Sequence, residues 1–182
     1  MKINILESIK KVKRNVSSRN KKKSAKVISE SQKFGKLYFD GSRKYGYGGY
    51  KYDGRWKKVV RKFIKTYNLK KNDKVLDVGC AKGYLVYDFH QAGIDAYGVD
   101  ISKYALSKCP KKISNKLYIS SADKLPFKTN EFKLAISINT IHNLSLRRCK
   151  KAIMEIKRVS SKYSFIQIDA YNNISQKKKF LN

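Results

Sequence analysis

The stretch KVLDVGCAKGYLVYDF, residues 74–89, constrains the fold of this chain more than any other. The β-branched run from Val75 to Val78 predicts a short strand, and Gly79 to Gly83 a tight glycine-bounded turn. The spacing of Leu85, Val86 and Phe89 then predicts a helix that closes at Gly93. The alternation repeats downstream. AYGVD reads as a second strand, Ser102 caps a helix running towards Pro110, and KLYIS and FKLAISI supply strands three and four. Ser145 caps a further helix with Leu146, Cys149, Ile153, Ile156 and Val159 on one side, and YSFIQI is the fifth strand. Upstream, Val59, Val60, Phe63, Ile64 and Tyr67 mark one face of a helix that starts at Trp56 and ends near Asn68. Strands alternating with helices of these lengths predict an α/β fold, a Rossmann-like and mostly parallel sheet covered on both faces. Ligands in such folds sit at the carboxyl ends of the strands.

The first loop separates one class of ligand from another. Dinucleotide folds carry G-x-G-x-x-G there, so that backbone amides and a helix N-terminus receive a pyrophosphate. Here the order is Asp77-Val-Gly79-Cys80-Ala81-Lys-Gly83, with alanine in place of the middle glycine and a carboxylate two residues before the first. An acid there repels pyrophosphate and suits a ligand bearing an ammonium and a sulfonium, which S-adenosylmethionine presents. Asp100 ends the second strand, where its carboxylate can take both ribose hydroxyls of an adenosine; by itself it serves either ligand class. The bland reading of the same residues is an ordinary strand, turn and helix with a capping aspartate.

Over roughly residues 40–171 the chain resembles the class I S-adenosylmethionine-dependent methyltransferases. LDVGCAKG is similar to that family's first motif and GVDIS to its ribose-binding second. SADKLPF is similar to the loop that holds the adenine amino group, and SINTIHNL to the fourth motif, where the methyl group emerges. The resemblance implies S-adenosylmethionine as cofactor, held by Asp77, Gly79, Cys80, Ala81 and Gly83, by Asp100, Ile101 and Ser102, by Ala122 and Asp123, and by Asn139 and Thr140. More narrowly, YGYGGYKYDGRW ahead of these motifs resembles bacterial methyltransferases linked to surface-polysaccharide and modified-sugar pathways, which implies a small-molecule or sugar-type acceptor. The class usually continues past strand five with a helix and an antiparallel strand pair. Here NNISQKKKFLN follows, so the expected class I methyltransferase sheet is truncated after strand five. The bare edge of that strand is expected to be covered by a second copy, as a homo-oligomer, or by a partner subunit.

Three segments are expected along the chain: a basic, flexible or loosely helical tail over 1–36, an aromatic and glycine-rich cap over 37–56, and the methyltransferase domain over 57–182. The tail bears a weak apolar stripe, Ile5, Leu6, Ile9 and Val12, which could lie on a membrane surface and is better suited to packing on the domain or on a partner. In the cap, Tyr47, Tyr52 and Trp56 are expected to close over the sulfonium, a ring face attracting a cation by about 0.5 to 2 kcal/mol. Arg55 is expected to take a carboxylate in a bidentate fork. Aromatics beside a helix start are also the pattern of a plain hydrophobic core.

The net charge of +30 invites a nucleic-acid reading, which is not the favoured one. Residues 1–36 account for +10 of it, so most of the charge is spread over the domain, and no RNA-binding module is recognisable. A composition rich in Asn, Ile and Tyr is also what A/T-rich codons produce. Cys80, Cys109 and Cys149 show no C-x-x-C pairing, which fits a reducing, cytoplasmic setting without a disulfide framework. No run reaches the length of a membrane span.

Methyl transfer is an in-line displacement that calls on the protein chiefly for alignment, with a base where the acceptor is a hydroxyl or a protonated amine. His142, just past strand four, is the expected base, with Asp169 and Tyr171 after strand five as second candidates for base or acceptor orientation. His142 can instead cap its turn with Asn143. His90 is expected to be buried and structural. With only thirteen Asp and Glu in the chain, no metal site is expected.

Overall fold

The computed structural model describes residues 4–9 and 23–168. Helices α1 (Ala25–Gln32) and α2 (Lys36–Asp40) lead through an irregular segment to α3 (Trp56–Tyr67). The domain then runs β1 (Lys74–Val78), α4 (Tyr84–Gln91), β2 (Asp95–Asp100), α5 (Lys103–Ser107), a 3-10 turn (Lys111–Lys116), β3 (Leu117–Ile119), β4 (Phe132–Ile138), a second 3-10 turn (Ile141–Asn143), α6 (Leu146–Val159) and β5 (Ser160–Gln167). The five strands form one sheet in the order β3-β2-β1-β4-β5, and every pairing is parallel. The order reverses between β1 and β4, and that switch opens a crevice at the carboxyl ends of the strands. Among the described residues no helix is long and apolar enough to cross a membrane.

Two cores flank the sheet. On one face Val59, Val60 and Phe63 of α3 and Leu85, Val86 and Phe89 of α4 pack against Val75, Ala96, Leu134 and Ile136. On the other, Ala152, Ile156 and Val159 of α6 cover Leu76, Val78, Val99 and Ala135. Because side chains alternate across a strand, Val75 and Leu76 feed opposite cores, which explains why β1 is buried throughout from Val75 to Val78. Helix α3 stops at Asn68, whose left-handed backbone (φ 47°) returns an N–H to the Ile64 carbonyl.

The first part of the N-terminal stripe packs on the domain, one of the placements expected of it: Ile5 is buried in the α3/α4 core with Leu6 and Ile9 against it, and Glu7 pairs with Lys62. Val12 of the same stripe lies outside the described residues. Several other expectations change. The helix after Ser102 spans only five residues, because the residue before Pro110 is biased away from helical backbone. His90 is exposed in the last turn of α4. Ser145 occupies the N-cap position of α6 but makes no side-chain cap bond. On that helix Leu146 is 74% exposed and Ile153 44%, while Ala152 takes a core position instead. The opposite flank of α6 is the one held down. Glu155 accepts from the Leu125 amide, and Arg158 donates to the Phe127 and Leu125 carbonyls. The flank bearing Leu146 and Ile153 is left exposed. No described strand pairs the outer edge of β5.

Candidate functional site

A cleft lies at the carboxyl ends of the strands, where ligands of such sheets bind. Its floor comes from Gly79 and Ala81 after β1 and from Val99, Asp100 and Ile101 at the end of β2. One wall is Ser120, Ser121 and Ala122 after β3; the other is Asn139, Thr140, Asn143 and Leu144 after β4. The roof is aromatic: Phe34, Tyr38, Phe39 and Tyr47.

The floor depends on unusual backbone. Gly79 has φ +86°, and a Cβ there would lie 2.1 Å from Thr140 Oγ1, so no side chain fits. Ala81 and Asn139 also adopt left-handed conformations, each with φ 53°, one after β1 and one after β4. In this conformation the Ala81 amide points at Asp100 and donates to Oδ2 at 2.8 Å, while the Ser102 amide donates to Oδ1 at 2.8 Å. Each Asp100 oxygen keeps a further lone pair, so the carboxylate is fixed in place and can still accept two hydroxyls. Burial raises its pKa, although the amides of Ser102, Ala81 and Ile101 pull the other way. Asp77 is more strongly perturbed: burial first, then the charge of Asp100, push its pKa from 3.8 to about 7.

The roof is a run of rings in contact with one another. Phe34 meets Tyr38 at 5.0 Å between centroids, Phe39 stacks on Tyr47 at 5.6 Å, and Tyr47 meets Tyr50 at 4.6 Å. The run continues through Tyr84 (5.0 Å from Tyr50) and Tyr52 (5.5 Å from Tyr84) to Tyr87 (5.3 Å from Tyr52). Burial, with the nearby Tyr38, Asp100 and Asp77, lifts the Tyr47 hydroxyl to about 12, so it stays protonated at neutral pH.

Of the residues singled out by sequence, Tyr47, Gly79, Ala81, Asp100, Ile101, Ala122, Asn139 and Thr140 meet around this cleft. Others do not line it. Tyr52 leans away and donates to Asp88 Oδ1 at 2.5 Å. Arg55 is taken by its neighbour Asp53, Nη2 to Oδ2 at 2.6 Å. Trp56 starts α3 and packs against the core. Asp77 lies buried below the floor, and Cys80 turns its thiol towards Gly98, where a Cβ would stand 2.7 Å from Sγ. Gly83 caps α4 against Ile113 and Leu117. Ser102 caps α5 and donates to the Phe34 carbonyl at 2.6 Å. Asp123 is held by the Arg148 fork at 2.8 and 2.9 Å and by Ser121, which together keep its pKa well below the usual carboxylate range. Its carboxylate is thus already engaged where the adenine amino group was expected. His142 is exposed beside the rim, between Thr140 and Asn143. Asp169 and Tyr171 lie outside the described residues.

Sequence reasoning missed Phe34, Tyr38 and Phe39, and with them the true reach of the cap, which begins before residue 37. Phe34 precedes the helix on a left-handed backbone (φ 47°), so no helical spacing links it to Tyr38 and Phe39 of α2, and the three meet only in the fold.

The comparisons with known proteins agree with this geometry. Residues 75–162, just under half of the chain, match the family described as a methyltransferase domain. The uncharacterized protein MJ1252 of Methanocaldococcus jannaschii is 32% identical over 110 residues, which cover 59% of this chain and 41% of that protein. Among solved structures, the YcgJ protein of Bacillus subtilis superposes with a TM-score of 0.55 at 23% identity, over 68% of this chain and 55% of that one. A candidate S-adenosyl-L-methionine-dependent methyltransferase of Methanococcus maripaludis gives 0.54 at 16% identity, over 61% and 54% respectively. At these identities the structures speak for the fold alone, and the chain spans about half the length of the proteins it matches. Over residues 75–162, then, this chain carries a segment that matches the methyltransferase domain family, on a Rossmann-like parallel sheet.

Proposed function

We propose that this chain is an S-adenosylmethionine-dependent methyltransferase with a small-molecule or sugar-type acceptor. The observation that carries the reading is the pairing of Asp100 with Asp77. One carboxylate is aimed into the cleft by two amides with lone pairs to spare, and the other lies buried below the floor, its pKa raised by burial and by the charge of the first. Asp100 would take the ribose hydroxyls, Asp77 would favour the ligand's positive end, and the rings of Phe39 and Tyr47 would face the sulfonium. Ser120, Ser121 and Ala122 would frame the adenine. When bound, the cofactor supplies an activated methyl group. The chain's own part is to exclude water with its roof and to hold the acceptor in line. His142, at the exposed end of the rim, is the group placed to take an acceptor proton.

The basic side chains bear on the acceptor class. Lys57, Lys58, Arg61 and Lys65 of α3 lie exposed over one face of the sheet, and Arg147, Lys150, Lys151 and Lys157 of α6 over the other. A nucleic-acid substrate calls for one continuous basic surface beside the cleft mouth. Charge on both faces supports the small-molecule reading.

Calorimetry with S-adenosylmethionine tests the cofactor. Asp100→Ala, in a folded variant, is expected to weaken binding about 10- to 150-fold, the loss that goes with hydrogen bonds to a charged group. Unchanged affinity would remove the cofactor assignment. Labelled-methyl transfer to lysate fractions, with and without ribonuclease, then identifies the acceptor class. Binding without transfer to any fraction would mark a cofactor-binding protein that is not itself an enzyme.

A further inference from the structure

Lys82 sits in the first loop between two site residues, Ala81 and Gly83, yet it points away from the cleft and is only 5% exposed. Its ammonium donates to Asp40 Oδ1 at 2.7 Å, to Asp40 Oδ2 at 2.8 Å and to the Tyr50 carbonyl at 2.8 Å. Asp40 is the last residue of α2, and it also accepts from the Tyr104 hydroxyl of α5 at 2.8 Å. Burial alone would raise the pKa of Asp40; the bonds from Lys82 and Tyr104 outweigh it and keep the group ionised.

The roof has an internal structure of its own. The Tyr47 amide donates to the Tyr38 carbonyl at 2.8 Å, Gly49 to Phe39 at 3.0 Å, and Arg43 Nη1 to the Tyr47 carbonyl at 2.7 Å. Phe39 rests on Ala81 and Ala105. Besides the Lys82 and Tyr104 bonds, the roof is attached by Ser102 Oγ to the Phe34 carbonyl at 2.6 Å, Tyr84 Oη to the Tyr50 carbonyl at 3.3 Å and Tyr52 Oη to Asp88 Oδ1 at 2.5 Å; Lys82–Asp40 is the ion pair among those described. It joins the roof to the same loop whose Ala81 amide holds Asp100.

We propose that Lys82 and Asp40, with Tyr104, form a clasp that holds the aromatic roof down over the cleft and sets how fast the ligand leaves. Lys82 and Asp40 are positioning residues: they act through the roof and touch no reacting atom. The ligand part of this inference rests on the cofactor reading above; the roof part does not. Breaking one side of a buried pair leaves an unpaired charge and costs fold stability, whereas neutralising both sides is often tolerated. The double variant Asp40→Asn/Lys82→Met therefore separates clasp from scaffold.

The first measurement is hydrogen exchange without ligand. The double variant is expected to speed exchange over residues 34–52 by about tenfold or more while β1 and β4 stay as protected as in the native chain. The second is S-adenosylhomocysteine release in stopped flow, expected to accelerate by about tenfold or more in the same variant. Tyr104→Phe, which removes one hydroxyl and no charge, should shift both readouts in the same direction by less. It also serves should the double variant fail to fold. Unchanged exchange in the roof, or a loss of protection spread evenly over the sheet, overturns the clasp. If the native chain binds no S-adenosylhomocysteine, the cofactor reading fails, and the exchange result still decides the clasp.

Discussion

The rim of this sheet has two halves that are finished to different degrees. Around β1, β2 and β3 three carboxylates have been given partners by the chain itself. Asp100 is held by two amides, Asp123 by Arg148, Asp40 by Lys82, and the roof closes above them. Around β4 and β5 the chain leaves surface open: Leu146, Ile153, Met154 and Ile166 are exposed, and His142 and Asn143 stand at the mouth. On the proposed function, the difference is what a two-substrate site calls for. A ligand common to every turnover rewards a preorganised pocket, because ordering costs are met on folding. The variable ligand would need an accessible side.

The largest effect should come from the open half. If His142 takes the acceptor proton, His142→Asn should cut turnover by about 10² to 10⁴ fold while cofactor affinity stays within about a factor of two. Loss of both together would show that the residue shapes its turn, and the open half would then hold no base among the described residues.

Two isoleucines one turn apart compare the halves through stability. Ile156 is fully buried and Ile153 is 44% exposed. Ile156→Ala should cost about 2 to 5 kcal/mol in denaturant unfolding, whereas Ile153→Ala should stay near 0.5 kcal/mol. A large loss at Ile153 in a concentration-dependent unfolding transition would instead reveal a covered face.

A pH dependence tests the closed half by itself. Asp77 has a folded pKa of about 7 against an ordinary value of 3.8. Between those two values the folded chain holds a proton that the unfolded chain has released. Stability without ligand therefore falls as pH rises through that window. A cationic ligand favours the ionised form, so its affinity should rise over the same window and level off above it. Asp77→Asn should abolish both slopes. An affinity flat with pH in the native chain would detach Asp77 from the ligand.

Local signals in the sequence reached far into this molecule. The β-branched run and glycine-bounded turn located β1 and α4, the acid ending β2 located Asp100, and Asn68 marked the end of α3. These features depend on neighbours a few residues away, so the chain displays them openly. Contacts made across the fold were hidden. Lys82 reads as a solvated lysine until Asp40 arrives from 42 positions upstream. Asp123 reads as free until Arg148 takes it from 25 positions downstream. Periodicity placed Leu146 and Ile153 on the buried side of α6, but it cannot say how wide the surface beneath a helix is. Here that surface covers one flank and leaves the other bare.

The cap also has a place in time. The contacts that seat it are long: Ser102 reaches back 68 residues to Phe34, and Tyr104 reaches back 64 to Asp40. Loops of that length close late, after strands and helices that pair with near neighbours have formed. The segment synthesised ahead of the sheet can therefore meet Lys82 early but completes its seat only once β2 and α5 have emerged. A chain interrupted before residue 102 would have the Lys82–Asp40 pair and the contact of Phe39 with Ala81, and would lack the Ser102 and Tyr104 bonds that complete the roof's attachment.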